Sequence, residues 1–407
     1  MIRTTIAALA LVSPLAGCSA PPADNAAAQQ AIPAAVVVAF DGDSVTPLIA
    51  EGVRNFETNE PVEFNDPVRI ASISKLIMAL AVLRLVDEGK VDLDRDVSDY
   101  LGFEVRSPNF PDTKVTLVQL MSHRAGLRDK AGYIIPLGES LAAKLADPES
   151  WYADAPPGEA PFEYANLGSP VVATVLEAAT GERYDRLLER TVFAPLEIEA
   201  CVNWTGCSDE MVSRAVALYR DTGEPARDYP SDLPPQCSIP VAEGVECSLE
   251  NYVPGTNASI FSPQGGVRIG MLDLAKIGQA LIAAEQKQAG FVSAKAMQTM
   301  ATSILRSDTG DQEFFCTYGL HVQLINLPER ECLDMLFAGE EGYYGHSGQA
   351  YGLESGLWMV AGGDTGFAFF RTQAPPPAGG EDTGGFTQGE KDLLKRAQQQ
   401  LAKQVGG

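Results

Sequence analysis

The spacing of apolar positions divides this 407-residue chain into strand-like ends and a helix-like middle. Ala34 to Phe40 and Ser44 to Ala50, separated by Asp41-Gly42-Asp43, predict a β-hairpin. Near the other end, Tyr343–Gln349, Leu353–Val360 and Gly366–Thr372 read as three strands joined by glycine turns. Between these ends the helical period dominates. One helix runs from Ser72 to about Glu88 and stops at Gly89, and another spans Thr116–Ser122 behind an N-cap threonine. Further helices are expected over Pro170–Thr180, Tyr184–Thr191 and about Asp273–Ala284, and an amphipathic helix over Thr387–Gln404 closes the chain. Residues 51–69 form a polar connection, and Cys201–Gly255 is irregular and proline-rich. That second stretch is expected to be a disulfide-pinned excursion walling a substrate cleft. The fold class is therefore α/β (α+β). One antiparallel sheet is built from both chain ends and flanked by helices, with a large helical subdomain. The α/β lobe is expected at about 34–70 and 335–407, the mainly helical lobe at about 71–334, and the cleft between them.

The first residues change the picture of where the chain resides. Met1–Thr5 carries one positive charge, and the short apolar region Ile6–Leu15 is broken by Ser13-Pro14. Residues 1–17 thus read as a secretory signal and not as a membrane span. Leu15-Ala16-Gly17-Cys18 resembles a bacterial lipobox, which implies cleavage before Cys18 and lipid on its sulfur. Ser19 in the next position resembles lipoproteins sent to the outer membrane, so the expected location is the periplasmic side of that membrane. Residues 18–33, rich in Ala, Pro and Gln, read as a flexible tether.

Composition narrows the partners. With 45% hydrophobic and 21% charged residues the chain can form a core, and a net charge of −24 argues against nucleic acid and anionic membrane surfaces. Setting Cys18 aside leaves six cysteines, an even number that suggests disulfides in an exported chain. Pairing sequence neighbours gives Cys201–Cys207, Cys237–Cys247 and Cys316–Cys332. With three histidines and no Cys-x-x-Cys, neither a metal site nor a cofactor is expected.

Three short motifs carry the chemistry. Ser72 and Lys75 lie three apart at the start of an apolar helix, so both occupy one face. The apolar run Leu76–Leu83 suits a buried core helix, and burial favours the neutral amine that can accept a serine proton. Ser72 would attack a carbonyl and carry the acyl group, with Lys75 and Tyr164 sharing its proton. Either of the two could be the principal base. Asn166 would donate a hydrogen bond to the substrate's amide or acyl chain. His346, Ser347 and Gly348 would line the cleft on an edge strand, the glycine leaving room for backbone pairing with substrate. The backbone N–H groups of Ser72 and Gln349 would form an oxyanion hole. His123, closing a helix beside Gly126, is expected to bond backbone carbonyls in a structural role. Trp151, Tyr152, Trp204, Tyr219 and Tyr318 read as ordinary packing.

In this order, Ser72-x-x-Lys75, Tyr164-Ala165-Asn166 and His346-Ser347-Gly348 resemble the three-motif signature of the serine β-lactamase and penicillin-binding protein superfamily. The likeness is closer to the class C β-lactamase-like branch, with its D-Ala-D-Ala carboxypeptidases, D-aminopeptidases and carboxylesterases. Phe64–Ser72, Val115–Leu127, Pro157–Asn166, Phe193-x-Pro195-Leu196 and Gly265-Gly266 also resemble that branch. The resemblance implies a β-lactamase/transpeptidase-like fold and a lipid-anchored serine hydrolase. It would cleave an ester or amide, a D-peptide or small carboxyl ester foremost, through an acyl-enzyme on Ser72. His346 stands where class C β-lactamases carry lysine, which implies poor penicillin hydrolysis. Alternatives are a β-lactamase proper or a catalytically silent penicillin-binding-like sensor.

Overall fold

The computed structural model describes residues 32–220, 222, 224–226, 237–286, 290–302, 305–306, 313–327, 334–339, 341–373 and 385–405. The signal segment, Cys18 and most of the tether lie outside the described residues, as does Cys332.

Eleven described strands form two sheets. They are β1 (Ala35–Asp41), β2 (Val45–Glu51), β3 (Val68–Arg69), β4 (Ala200–Val202), β5 (Val267–Ile269), β6 (Leu305–Arg306), β7 (Thr317–Tyr318), β8 (Gln323–Ile325), β9 (Tyr343–Ala350), β10 (Leu353–Val360) and β11 (Thr365–Arg371). The larger sheet runs β2-β1-β11-β10-β9-β8-β7-β6, and the smaller runs β3-β5-β4. Every strand pairing is antiparallel. The N-terminal hairpin docks on the last strand, with Ala35 opposite Arg371, so the two ends of the chain do build one sheet. β1 is buried from Ala35 through Phe40 on both faces, which is why it reads as a continuous apolar run instead of an alternation.

Each face of the sheet has its own core. Val37, Trp358 and Phe369 pack with Leu393, Leu394 and Ala397 of the C-terminal helix Gln388–Val405. Val36, Val38, Leu357 and Phe370 join the larger core, which includes the helices Met271–Glu285 and Ile73–Asp87. The second of these helices is buried without a break from Ile73 to Leu83. It is apolar all round because it lies inside the molecule and has no solvent face to keep polar.

Three expectations are corrected. β6, β7 and β8 fall within the stretch read as helical, yet they extend the sheet beyond β9. At two or three residues each they are too short to show an alternation. β9 is therefore no edge strand along its whole length. It pairs with β8 from Tyr343 to Gly345, and its ladder to that side ends there, leaving His346–Ala350 along an open edge. The disulfides Cys201–Cys207 and Cys237–Cys247 are formed as expected, and Cys316 is also disulfide-bonded. None of the excursion's described residues lines the cleft beside Ser72, whose walls come from other segments.

Candidate active site

The turn into the helix Ile73–Asp87 sets the position of Ser72. Ala71 adopts a left-handed backbone with φ of 47°, a conformation that costs a residue with a β-carbon about 1 kcal/mol. Ser72 follows as the N-cap, but its side chain makes no capping hydrogen bond. A serine there ordinarily satisfies a free N–H of the first turn. Here the hydroxyl is left for another partner, and the Ser72 N–H itself has no backbone acceptor among the described contacts.

That partner is Lys75. Its Nζ lies 3.2 Å from Ser72 Oγ, 2.8 Å from Asn166 Oδ1 and 3.0 Å from the carbonyl oxygen of Gln264. The amine is fully buried, 4.8 Å from the centre of the Tyr164 ring. Burial is the main influence on its acidity and the Asp129 carboxylate opposes it, which together bring the ammonium down to about 7.

The second motif arrives just ahead of the helix Gly168–Thr180. Tyr164 stacks on Phe315 with ring centres 4.5 Å apart, and the His123 ring lies tilted against it at 4.4 Å. Its hydroxyl is buried, and burial pushes the phenol well up while the nearby Ser72 hydroxyl offsets this in part. Asn166 reaches Lys75 through Oδ1 and Asp129 through Nδ2.

His346 sits elsewhere than expected. Its side chain is 1% exposed and does not line the cleft. Nδ1 lies 2.6 Å from the Ser347 carbonyl oxygen, which can only accept, so Nδ1 carries the proton. Nε2 is then the acceptor for the Tyr318 hydroxyl at 2.8 Å. Burial, with the Lys75 charge, lowers the pKa of its imidazolium to about 3, so the imidazole is neutral. The expectation that His346 lines the cleft and contacts substrate is corrected on these grounds. Tyr318 is more than packing, because its hydroxyl donates to the Nε2 that this tautomer leaves as an acceptor. Ser347 and Gln349 do line the cleft.

Gly348 is also reassigned. A β-carbon there would overlap the Ile70 carbonyl oxygen and Ser355 Oγ, so the glycine lets β9 lie against the turn that carries Ser72. It makes no room for substrate. Ser355 Oγ reinforces the approach by donating to Ile70 O at 3.1 Å. Gly348→Ala should push the strand off that turn and slow covalent labelling of the Ser72 hydroxyl by a serine-reactive probe at least about tenfold. The rate of covalent labelling per folded molecule checks this.

His123 is structural as expected but with a different partner, since Nδ1 accepts the Ala165 N–H at 3.2 Å. It packs 5.4 Å from His321, and all three histidines of the chain, His123, His321 and His346, lie near enough to feel the Lys75 charge. Burial holds His123 and His321 well below the usual imidazole range. A neutral aromatic cage of this kind desolvates the amine without supplying a counter-charge.

Several contributors were not singled out from sequence. They are Asp129, the Gln264 carbonyl and the cleft-lining Tyr133, Phe315 and Tyr351. An isolated aspartate among 54 acidic residues carries no signal, and a backbone carbonyl carries none at all. The cleft encloses about 380 Å³, and Arg69 is its one formally charged lining residue among those described.

A family model described as Beta-lactamase matches residues 22–386. The chain belongs to the Beta-lactamase family. Members of the Beta-lactamase family are serine hydrolases, among them esterases and D-Ala-D-Ala carboxypeptidases. Esterase EstB of Burkholderia gladioli is 29% identical over 235 residues, 54% of this chain and 58% of that protein. The D-alanyl-D-alanine-carboxypeptidase/endopeptidase AmpH of Escherichia coli (strain K12) is 30% identical over 142 residues, 33% of this chain and 36% of that protein. The chain thus spans roughly a third to three fifths of the length of these relatives. A class C beta lactamase from Rhodobacter sphaeroides superposes with a TM-score of 0.61 at 17% identity, covering 92% of this chain and 95% of that one. At that identity the likeness shows the fold, which is the Beta-lactamase fold of antiparallel sheet and flanking helices.

Proposed function

We propose that this chain is an exported serine hydrolase that cleaves a carboxyl ester or a D-peptide through an acyl-enzyme on Ser72. One observation carries the reading. Of the three groups around Lys75 Nζ, two are carbonyl oxygens that can only accept, and the third is the Ser72 hydroxyl. A neutral amine has two hydrogens and one lone pair. Asn166 Oδ1 and Gln264 O take the hydrogens, so the lone pair is left for the Ser72 proton.

Chemistry follows from that arrangement. Ser72 Oγ attacks the substrate carbonyl carbon while its proton passes to Lys75. The Ser72 and Gln349 N–H groups stabilise the resulting oxyanion. Collapse expels an alcohol or amine, which takes its proton from Lys75 directly or through the Tyr164 hydroxyl. Water then repeats the sequence on the acyl-enzyme and restores Ser72. Lys75 is the better base of the pair, because burial favours neutral forms and a neutral phenol relays a proton without acting as a strong base. Substrate contacts come from Asn166, Ser347 and the open edge of β9. A carboxylate on the substrate would be read by Arg69, since neutral His346 offers no charge.

Lipid attachment at Cys18 and a place on the periplasmic side of the outer membrane belong to the same proposal, supported by Leu15-Ala16-Gly17-Cys18. Cys18→Ala should move the protein from the membrane to the soluble fraction of the producing cells.

A side-by-side assay of p-nitrophenyl butyrate, a D-Ala-D-Ala peptide and nitrocefin tests the function. Ester cleavage with poor nitrocefin turnover is expected. Fast nitrocefin hydrolysis would make the protein a β-lactamase proper. Absence of turnover and of fluorophosphonate labelling would leave a silent binder.

A further inference from the structure

Asp129 lies outside the cleft lining, yet its carboxylate accepts three N–H groups, two from the second motif and one from the residue after it. They are Asn166 N and Asn166 Nδ2, both at 2.9 Å from Oδ2, and Leu167 N at 2.9 Å from Oδ1. A carboxylate can only accept, so the Asn166 amide has one permitted orientation, with nitrogen toward Asp129 and oxygen toward Lys75. The oxygen then sits 2.8 Å from Lys75 Nζ. With the amide reversed, its N–H groups would face Lys75 and compete with the Ser72 hydroxyl for the amine's lone pair.

We infer that Asp129 is a positioning residue for acyl transfer: it locks the Asn166 amide with its oxygen on Lys75 and thereby leaves the Lys75 lone pair to Ser72. The inference rests on the reading of Ser72 as nucleophile and Lys75 as base. Asp129 acts through Asn166 and not on the substrate. It is also the single negative charge among the described groups acting on Lys75. The other ionisable groups there are His123 at the end of its helix, His321 before β8, His346 on β9 and Tyr164. Burial keeps all of them neutral. A plainer role is available, since Leu167 is the N-cap of the helix Gly168–Thr180 and Asp129 could merely cap it.

The pH profile of fluorophosphonate labelling separates the two. Rates are measured for wild type, Asp129→Asn, Asn166→Ala and the double variant, each normalised to the fraction labelled at completion. That normalisation removes any loss of folded protein. In Asp129→Asn the rate per labelled site should fall on the order of tenfold to a hundredfold. The midpoint of the rise with pH should move lower by about half a unit, because the base loses a nearby negative charge. In the Asn166→Ala background the same change should alter the rate by less than about threefold, as expected when one residue acts through the other. Should Asp129→Asn not fold, Asp129→Glu keeps the charge and displaces it; the midpoint should hold while the rate falls. A rate per site unchanged in the variant that folds, or an undiminished effect without Asn166, would overturn the inference and leave a helix cap. Wild-type protein that takes no label would overturn the reading of Ser72 itself, and this inference with it.

Discussion

Ser72→Ala is expected to abolish covalent labelling and to lower ester turnover by about three orders of magnitude or more. The substitution removes one oxygen atom and leaves the rest of the cleft standing. Ser72 makes no capping hydrogen bond, so the helix Ile73–Asp87 loses no support when the hydroxyl goes. Its burial from Ile73 to Leu83 anchors it independently. Unfolding free energy should therefore change by less than about 1 kcal/mol. Parallel urea melts and turnover assays check both halves. Turnover that survives in a well-folded Ser72→Ala protein would remove the acyl-enzyme from the mechanism.

Lys75→Met should be as damaging to activity, and its stability should respond to pH in a defined direction. An unfolded lysine titrates near 10.4, and the buried one is held at about 7. Between those values the unfolded chain binds the proton more readily than the folded one. Wild-type stability contributed by this group therefore rises as pH climbs from about 7 toward 10, and the full penalty of burying the charge is present below about 7. Methionine carries no proton, so the variant lacks this slope. Relative to Lys75→Met, the wild type should gain on the order of a few kcal/mol across that window. The Gln264 carbonyl and Asn166 Oδ1 lose a donor in the variant, which adds an offset that does not vary with pH. Urea unfolding of both proteins at pH 6.5, 8 and 9.5 measures the slope apart from the offset. Parallel curves would mean that Lys75 stays an ordinary ammonium in the folded protein and cannot be the base.

Local signals reached far in this chain because several elements have only local causes. The hairpin of β1 and β2, the N-cap at Thr116 with its capping box, and the stop at Gly181 with φ of 71° are each written within a few residues. The short strands β6–β8 escaped because their pairing comes from distant neighbours and not from any alternation of their own. The wall expected from the cysteine-rich excursion was inferred from irregularity alone, which says nothing about direction.

Sequence by itself determined the chemical inventory, a serine three before a lysine, a tyrosine two before an asparagine and a histidine two before a glycine, together with the strand and helix types that carry them. Only the tertiary structure decided what each does. It turned the imidazole of His346 inward to Tyr318, set Gly348 against the serine turn, and placed Asp129 behind Asn166. The physical reason is range. Periodicity and capping act over one or two turns of chain, whereas a lone pair's direction and an amine's acidity depend on partners up to 189 residues away, as Gln264 is from Lys75.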